Sequence, residues 1–251
     1  MDFKAITLDY YSHWIGDKKI LLKESPKILF LQSDERNNIQ NGYSKRFDLY
    51  VWIETDRIFV SYGEKAAPKI ALLQNKIKNN FSLDMIKKSI LKVYENTLSH
   101  NIKFVYAGNC SSCEMAHALV KTDYEAYLSF FKAVNPYCRN TDWVKDYFDE
   151  MIVMQLCCGV FDNGKLVSCT DAPMMAYMER EVQEIGIHTL EKFRNKGYAM
   201  HAAMLCAENI IRSGKYSQWS CAANNIASAR LAEKIGFIKL SDAFTLTIEN
   251  F

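Results

Sequence analysis

The chain has no apolar run that approaches the length of a membrane span. Its longest candidate, residues 151–160, is interrupted by Gln155 and reads as a strand. No apolar leader follows Met1-Asp2-Phe3-Lys4-Ala5, so a cytoplasmic protein without membrane contact is the expectation. An excess of one charge is also lacking. Lys and Arg number 31 against 29 Asp and Glu, the net charge is +2, and no five like charges run together. Neither a nucleic-acid-binding field nor an acidic tail is implied. No internal repeat relates the two halves. The eight cysteines lack a metal-site pattern. Cys110-Ser111-Ser112-Cys113 has no second C-x-x-C and no paired histidines, so four zinc ligands are not assembled and no metal is expected. It has no thioredoxin-like unit around it and reads as a linker with two free thiols. Several of the eight cysteines lie in apolar strand or helix patterns, so reduced, buried thiols are expected instead of disulfides.

The 251 residues, 49% hydrophobic and 24% charged, suit one large or two modest globular domains. Small polar residues around Gly108 divide the chain into a small α+β unit, 1–109, and a second domain, 110–251. In the first, residues 27–31 read as a strand. Phe47, Leu49, Val51 and Ile53 alternate with polar or amphipathic neighbours in a half-exposed strand, which Thr55-Asp56 turns back through residues 57–62 as a hairpin. Pro68 opens a helix, and Ser82 opens another with Leu83, Ile86, Ile90 and Val93 inward. The segment from Trp14 to Leu22 takes no firm assignment. Nothing before residue 110 names a chemistry. A packing or dimerisation role and a role in covering a cleft both stand, and a homodimer is left open. In the second domain the order is strand, two helices, a hairpin at Asp162-Asn163-Gly164-Lys165, and then the stretch that carries most information.

That stretch runs from Gln183 to Ala199. Residues 183–190 read as a strand, 191–197 as a basic loop, and 198–213 as a helix whose Met200, Ala203, Met204, Ala207, Ile210 and Ile211 share a face. A loop entering a helix N-terminus presents unpaired N–H groups and the positive end of the dipole, which suits a phosphate. Gly197 and Ala199 leave room, and Arg194 and Lys196 add charge.

Arg194-Asn195-Lys196-Gly197-Tyr198-Ala199 resembles the Arg/Gln-x-x-Gly-x-Gly/Ala loop of the GNAT N-acetyltransferase superfamily. The later Asn225-Ile226-Ala227-Ser228, its apolar helix and the closing Gly236-Phe237 are similar to that superfamily's second signature. The resemblance covers about residues 114–251. It is strongest to a bacterial two-domain group with a Glu-Ile-x-Ile-x-Thr strand, here Glu184 to Thr189. It implies an α/β (α+β) chain whose C-terminal part has the GNAT fold with a mixed central sheet. It also implies acetyl-CoA as cosubstrate, with transfer to a primary amine of a small molecule or protein. The strand near Ile187, His188 and Thr189 would meet the thioester and pantetheine, and Arg194 to Ala199 the pyrophosphate. Asn225, with Ser228 after it, would reach the pantetheine arm or cap its own helix.

Glu184 is the candidate base. Strand alternation puts it on one face with Gly186 and His188, while Ile185 and Ile187 face away. A carboxylate among apolar neighbours is expected to hold its proton more tightly, which suits acid–base work near neutral pH. His188 is the second candidate. The tyrosine that many GNAT enzymes use as general acid is replaced by Ala232, so the acid is unassigned. That departure motivates the other reading, a non-catalytic acyl-CoA-binding or regulatory module. Met174, Met175 and Tyr177 favour an amphiphilic amine, whereas Asp171, Glu179 and Glu181 favour a polycationic one.

Overall fold

In the computed structural model, which describes residues 2–78, 82–108 and 114–249, the chain opens with helix α1 (Phe3–Ile15). The Asp2 carboxylate caps it by accepting from the Ala5 N–H at 2.9 Å. Gly16 ends it at φ +94°, where a Cβ would also strike Ser33 Oγ at 1.9 Å. Hydropathy does not announce this helix. Its buried residues include the hydroxyl-bearing Thr7, Tyr10, Tyr11 and Ser12 beside Leu8, Trp14 and Ile15, so the inward face is not an apolar stripe.

Next come β1 (Ile28–Gln32), β2 (Leu49–Ile53), β3 (Ile58–Tyr62), α2 (Ile70–Ile77), α3 (Leu83–Tyr94) and β4 (Leu98–Tyr106). β2 and β3 form the expected antiparallel hairpin, and β1 runs parallel to β3. β2 is buried along its whole length instead of on one face. Tyr50 and Trp52 pack on Tyr11 and Trp14 of α1. Leu49, Val51 and Ile53 pack with Leu73, Ile77, Ile86 and Ile90 of α2 and α3. A strand covered on both sides shows no polar face, whatever its alternation promises.

Beyond residue 113 the order is β5 (His117–Ala118), α4 (Tyr124–Val134), α5 (Val144–Val153), β6 (Cys158–Asp162), β7 (Lys165–Asp171), β8 (Val182–Glu184), β9 (Gly186–Thr189), α6 (Tyr198–Arg212), β10 (Tyr216–Ala222), α7 (Ile226–Lys234) and β11 (Phe237–Leu246). This is the expected order, except that the strand expected over residues 183–190 is two short strands. Asn163 at φ +50° and Gly164 at φ +76° close the β6–β7 hairpin. The strands form a seven-stranded mixed sheet, β1-β3-β2-β11-β4-β10-β8, and a four-stranded one, β5-β6-β7-β9. β11 lies antiparallel between β2 and β4, so the larger sheet runs without a break through strands from both halves of the chain. The expected division at residue 109 and the pair Cys110 and Cys113 lie outside the described residues.

One face of the larger sheet packs Phe104, Trp219 and Phe237 against Ala203, Cys206 and Ala207 of α6 and Ala232 of α7. α1 lies on the other face. Cys157, Cys158, Cys169, Cys206 and Cys221 are buried free thiols. Among the described residues no helix is long and apolar enough to cross a membrane.

Phe244 of β11 is fully buried against α2, α3 and β2. Phe244→Ala is expected to lower stability by about 3–5 kcal/mol in urea unfolding. Because β11 is held by strands from both halves, far-ultraviolet dichroism and tryptophan fluorescence should report the same transition. Two separated transitions in the unaltered protein would contradict that coupling.

Candidate active site

The two short strands β8 and β9 are one path of chain that changes partner. Val182, Gln183 and Glu184 pair in parallel with Tyr216, Ser217 and Gln218 of β10. The Ile185 N–H donates to the Gln218 carbonyl at 3.2 Å. From Gly186 onward the chain pairs antiparallel with β7 instead, Gly186 opposite Asp171 and Thr189 opposite Ser168. β10 meanwhile continues to Ala222 along β4. The two sheets therefore separate just past Ile185, whose side chain is buried in the core that also holds Trp219. The Leu190 N–H donates to the Val167 carbonyl at 2.9 Å and so sets the phase of the β7–β9 ladder. Antiparallel alternation then turns the main-chain N–H groups of Ile187 and Thr189 away from β7, onto the open edge. Gly186 has no room for a side chain, because a Cβ would lie 1.6 Å from Asp171 Oδ1.

The basic loop follows directly. Asn195 at φ +63° and Gly197 at φ +84° shape it, and Gly197 is the N-cap of α6. Among the described residues no side chain caps this helix, which leaves N–H groups of its first turn open to an anion. The side chains divide. Arg194 Nε donates to the Thr189 carbonyl at 3.4 Å and leaves the rest of its guanidinium exposed. Tyr198 Oη donates to Asp162 Oδ2 at 2.8 Å, and Lys196 Nζ lies 3.7 Å from the same oxygen. Lys196 and Tyr198 thus brace the loop on the β6–β7 hairpin.

Glu184 lies at the mouth of the fork. Its Oε1 accepts from Ser220 Oγ, and its N–H donates to Met175 Sδ at 3.3 Å. Ser220 of β10 stands opposite Lys103 of β4. Burial draws the Lys103 ammonium below its ordinary range, and the charge of Glu184 acts against that shift. Burial first, then Glu184, raises the phenols of Tyr10, Tyr11 and Tyr43, the last to about 12. Tyrosines of α1 and of the loop before β2 therefore share the surroundings of Glu184. His188 is exposed and sits beside a different carboxyl. Burial pushes Asp171 up, and His188 pulls it partly back. The two candidate bases share an edge of the fork but have separate partners.

Asn225 acts as N-cap of α7, its Oδ1 accepting from the Ser228 N–H at 3.1 Å. Ser228 Oγ in turn accepts from Trp219 Nε1 at 3.1 Å. Ala232 is fully buried and brings no hydroxyl to the fork. Sequence reasoning missed Ser220, Lys103, Tyr10, Tyr11 and Tyr43. Lys103 carried a readable signal, a single charge inside Ile102-Lys103-Phe104-Val105. The tyrosines carried none. Among the described residues no three His, Cys, Asp or Glu side chains converge as metal ligands would.

Residues 54–245 match the family model described as GNAT acetyltransferase. The chain belongs to the GNAT acetyltransferase family. This makes it an acyltransferase by family. Among solved structures, it is similar to a GNAT-family acetyltransferase from Colwellia psychrerythraea, at 13% identity over 82% of each chain with a TM-score of 0.51. A putative GNAT-family acetyltransferase from Novosphingobium aromaticivorans DSM 12444 is 19% identical, covering 62% of this chain and 66% of that one, at a TM-score of 0.46. A putative acetyltransferase from Salmonella typhimurium, solved with its cofactor acetyl-CoA, is 15% identical over 54% of this chain and 94% of that one, at 0.43. These identities speak to fold alone. No curated protein matches the chain.

The contact between Gly186 and Asp171 gives a direct test of the fork in this GNAT acetyltransferase. Gly186→Ala is expected to destabilise by about 1–3 kcal/mol through overpacking. Adding Asp171→Ala should restore most of the loss in a double-mutant cycle read by urea unfolding. Additive losses would mean that the two residues do not press on each other.

Proposed function

We propose that this GNAT acetyltransferase transfers an acetyl group from acetyl-CoA to a primary amine by direct attack, with Glu184 as the base. The amine nitrogen attacks the thioester carbonyl, the carbon–sulfur bond breaks, and the nitrogen's proton passes to Glu184 while the thiolate leaves. The observation that carries this reading is the change of partner at Ile185. It opens a slot whose one edge holds the main-chain N–H groups of Ile187 and Thr189, suited to polarising a carbonyl. The uncapped N-terminus of α6 lies a few residues further along the chain, where a pyrophosphate needs positive charge. In this role Arg194, Asn195, Gly197 and Ala199 hold phosphate, while Lys196 and Tyr198 keep the loop's shape. Asn225 and Ser228 fix the start of α7 beside the pantetheine arm. Residues 1–109 act as the wall of the acceptor side, through Tyr10, Tyr11, Tyr43 and Lys103. His188 is the weaker candidate for proton transfer, because it is exposed and paired electrostatically with Asp171.

Thiol release from acetyl-CoA across a panel of amines tests the proposal. Glu184→Gln is expected to lower kcat by about a hundredfold or more with coenzyme affinity retained. Full turnover in that variant removes Glu184 as base. Gly197→Glu, which puts a carboxylate at the helix N-terminus, is expected to abolish coenzyme binding measured by calorimetry. Ala232 at the place of the usual tyrosine favours one other reading, a module that binds acyl-CoA without turnover. Coenzyme binding with no thiol release over the whole amine panel would assign that role.

A further inference from the structure

Ser220 stands on β10 just past the point where the two sheets part. β8 pairs with β10 only as far as Glu184 opposite Gln218, so Ser220 has no β8 residue opposite it. On its other side it faces Lys103 of β4. Residues two apart on a strand share a face, so Ser220 lies on the face of Gln218, beside the end of β8. From there its hydroxyl donates to Glu184 Oε1.

Other hydroxyls of the fold are spent on the main chain. Ser12, Thr170, Ser213 and Ser241 donate to the carbonyls of Leu8, Leu156, Ile210 and Ile53. Ser220 donates instead to a side-chain carboxylate. The polar residues before it on β10 take no part in this. Ser217 and Gln218 are fully buried, and Ser217 Oγ and both side-chain polar atoms of Gln218 lack partners among the described residues. Ser220 and Glu184 are both half-buried. The main chain of Glu184 is tied as well, through its N–H to Met175 Sδ. Among the described residues Ser220 is the one side chain that bonds to this carboxylate, and Oε2 accepts no hydrogen bond. Lys103 Nζ lies 5.4 Å from the Tyr11 ring centroid and makes no ion pair with a described residue.

The terminal torsion of a glutamate is broad, so a carboxylate with no partner turns at little cost. A hydrogen bond from a fixed strand removes that freedom, and one to a charged acceptor is roughly twice as strong as a neutral one. Without it, attraction to the Lys103 charge would draw Glu184 inward over the sheet. We propose that Ser220 is a positioning residue for Glu184, holding Oε1 so that Oε2 is the oxygen that takes the proton of the acceptor amine. The proposal rests on Glu184 as the base. The carbon–nitrogen bond forms, the thiolate leaves, the amine proton passes to Oε2, and the hydroxyl hydrogen stays on Ser220.

Ser220→Ala is expected to lower kcat about tenfold or more, with the KM for acetyl-CoA unchanged. Ser220→Thr keeps a hydroxyl and is expected to regain most of the loss. In the Glu184→Gln background Ser220→Ala should cost little more, because the group it positions is gone. Full kcat in Ser220→Ala overturns the role, as do losses that multiply in the double variant. Full turnover in Glu184→Gln is a different result, which removes Glu184 as base and with it any use of Ser220 in proton transfer. Where Ser220→Ala does not fold, Ser220→Cys, with its weak donor, takes its place. Crystal structures of the unaltered protein and of Ser220→Ala read the positioning without turnover. The Glu184 carboxylate is expected to leave its place in the variant, and a carboxylate that stays overturns the proposal.

Discussion

The hydrogen bond from the Ile185 N–H to the Gln218 carbonyl is the point on which the site turns. It is the last main-chain tie before residues 186–189 cross to β7. On one side of it the chain is held in a seven-stranded sheet, and on the other in a four-stranded one. A strand shared in this way leaves main-chain donors unpaired on the short edge where the two sheets part. Neighbouring residues maintain the divergence. Ile185 is fixed in the core, Gly186 admits Asp171 where a side chain would be, and Leu190 re-enters the ladder at Val167. Each is a packing feature, and together they hold open a position for chemistry.

The surroundings of Glu184 are built from distant parts of the chain. Glu184 is near Ser220 from β10, Lys103 from β4, tyrosines from α1 and the loop before β2, and Met175 from the loop before β8. The strand, loop and helix start from Gly186 to Ala199 are, in contrast, a local arrangement. One half of the site is a continuous segment that can be kept as a motif. The other half is an assembly of side chains from several elements, which can change without touching that segment.

This contrast explains what could be read from residues alone. The strand–loop–helix at 183–213, the Asn163-Gly164 hairpin and the α7 cap each depend on interactions within a few residues, and each was legible. The α1 helix was not, because Thr7, Tyr10, Tyr11 and Ser12 give its buried face hydroxyl groups. The full burial of β2 was not, because alternation describes the two faces of a strand but not what will cover them. The neighbours of β11 were hidden for the same reason. Which of two basic side chains would be engaged by a carboxylate was hidden too, since Lys196 lies beside Asp162, more than thirty residues earlier. Lys103 was legible as an anomaly but not as a neighbour of Glu184, since its position opposite Ser220 is a matter of register.

The place of β11 bears on how the molecule is made. β2 and β4 leave the ribosome well before the strand that joins them, because β11 follows β4 by more than a hundred residues. Until then each carries an unpaired edge, and α1 can cover only an incomplete sheet. The tyrosines and Lys103 near Glu184 therefore gain their settled surroundings only once β11 has been made, and until then the first part of the chain waits for a partner strand.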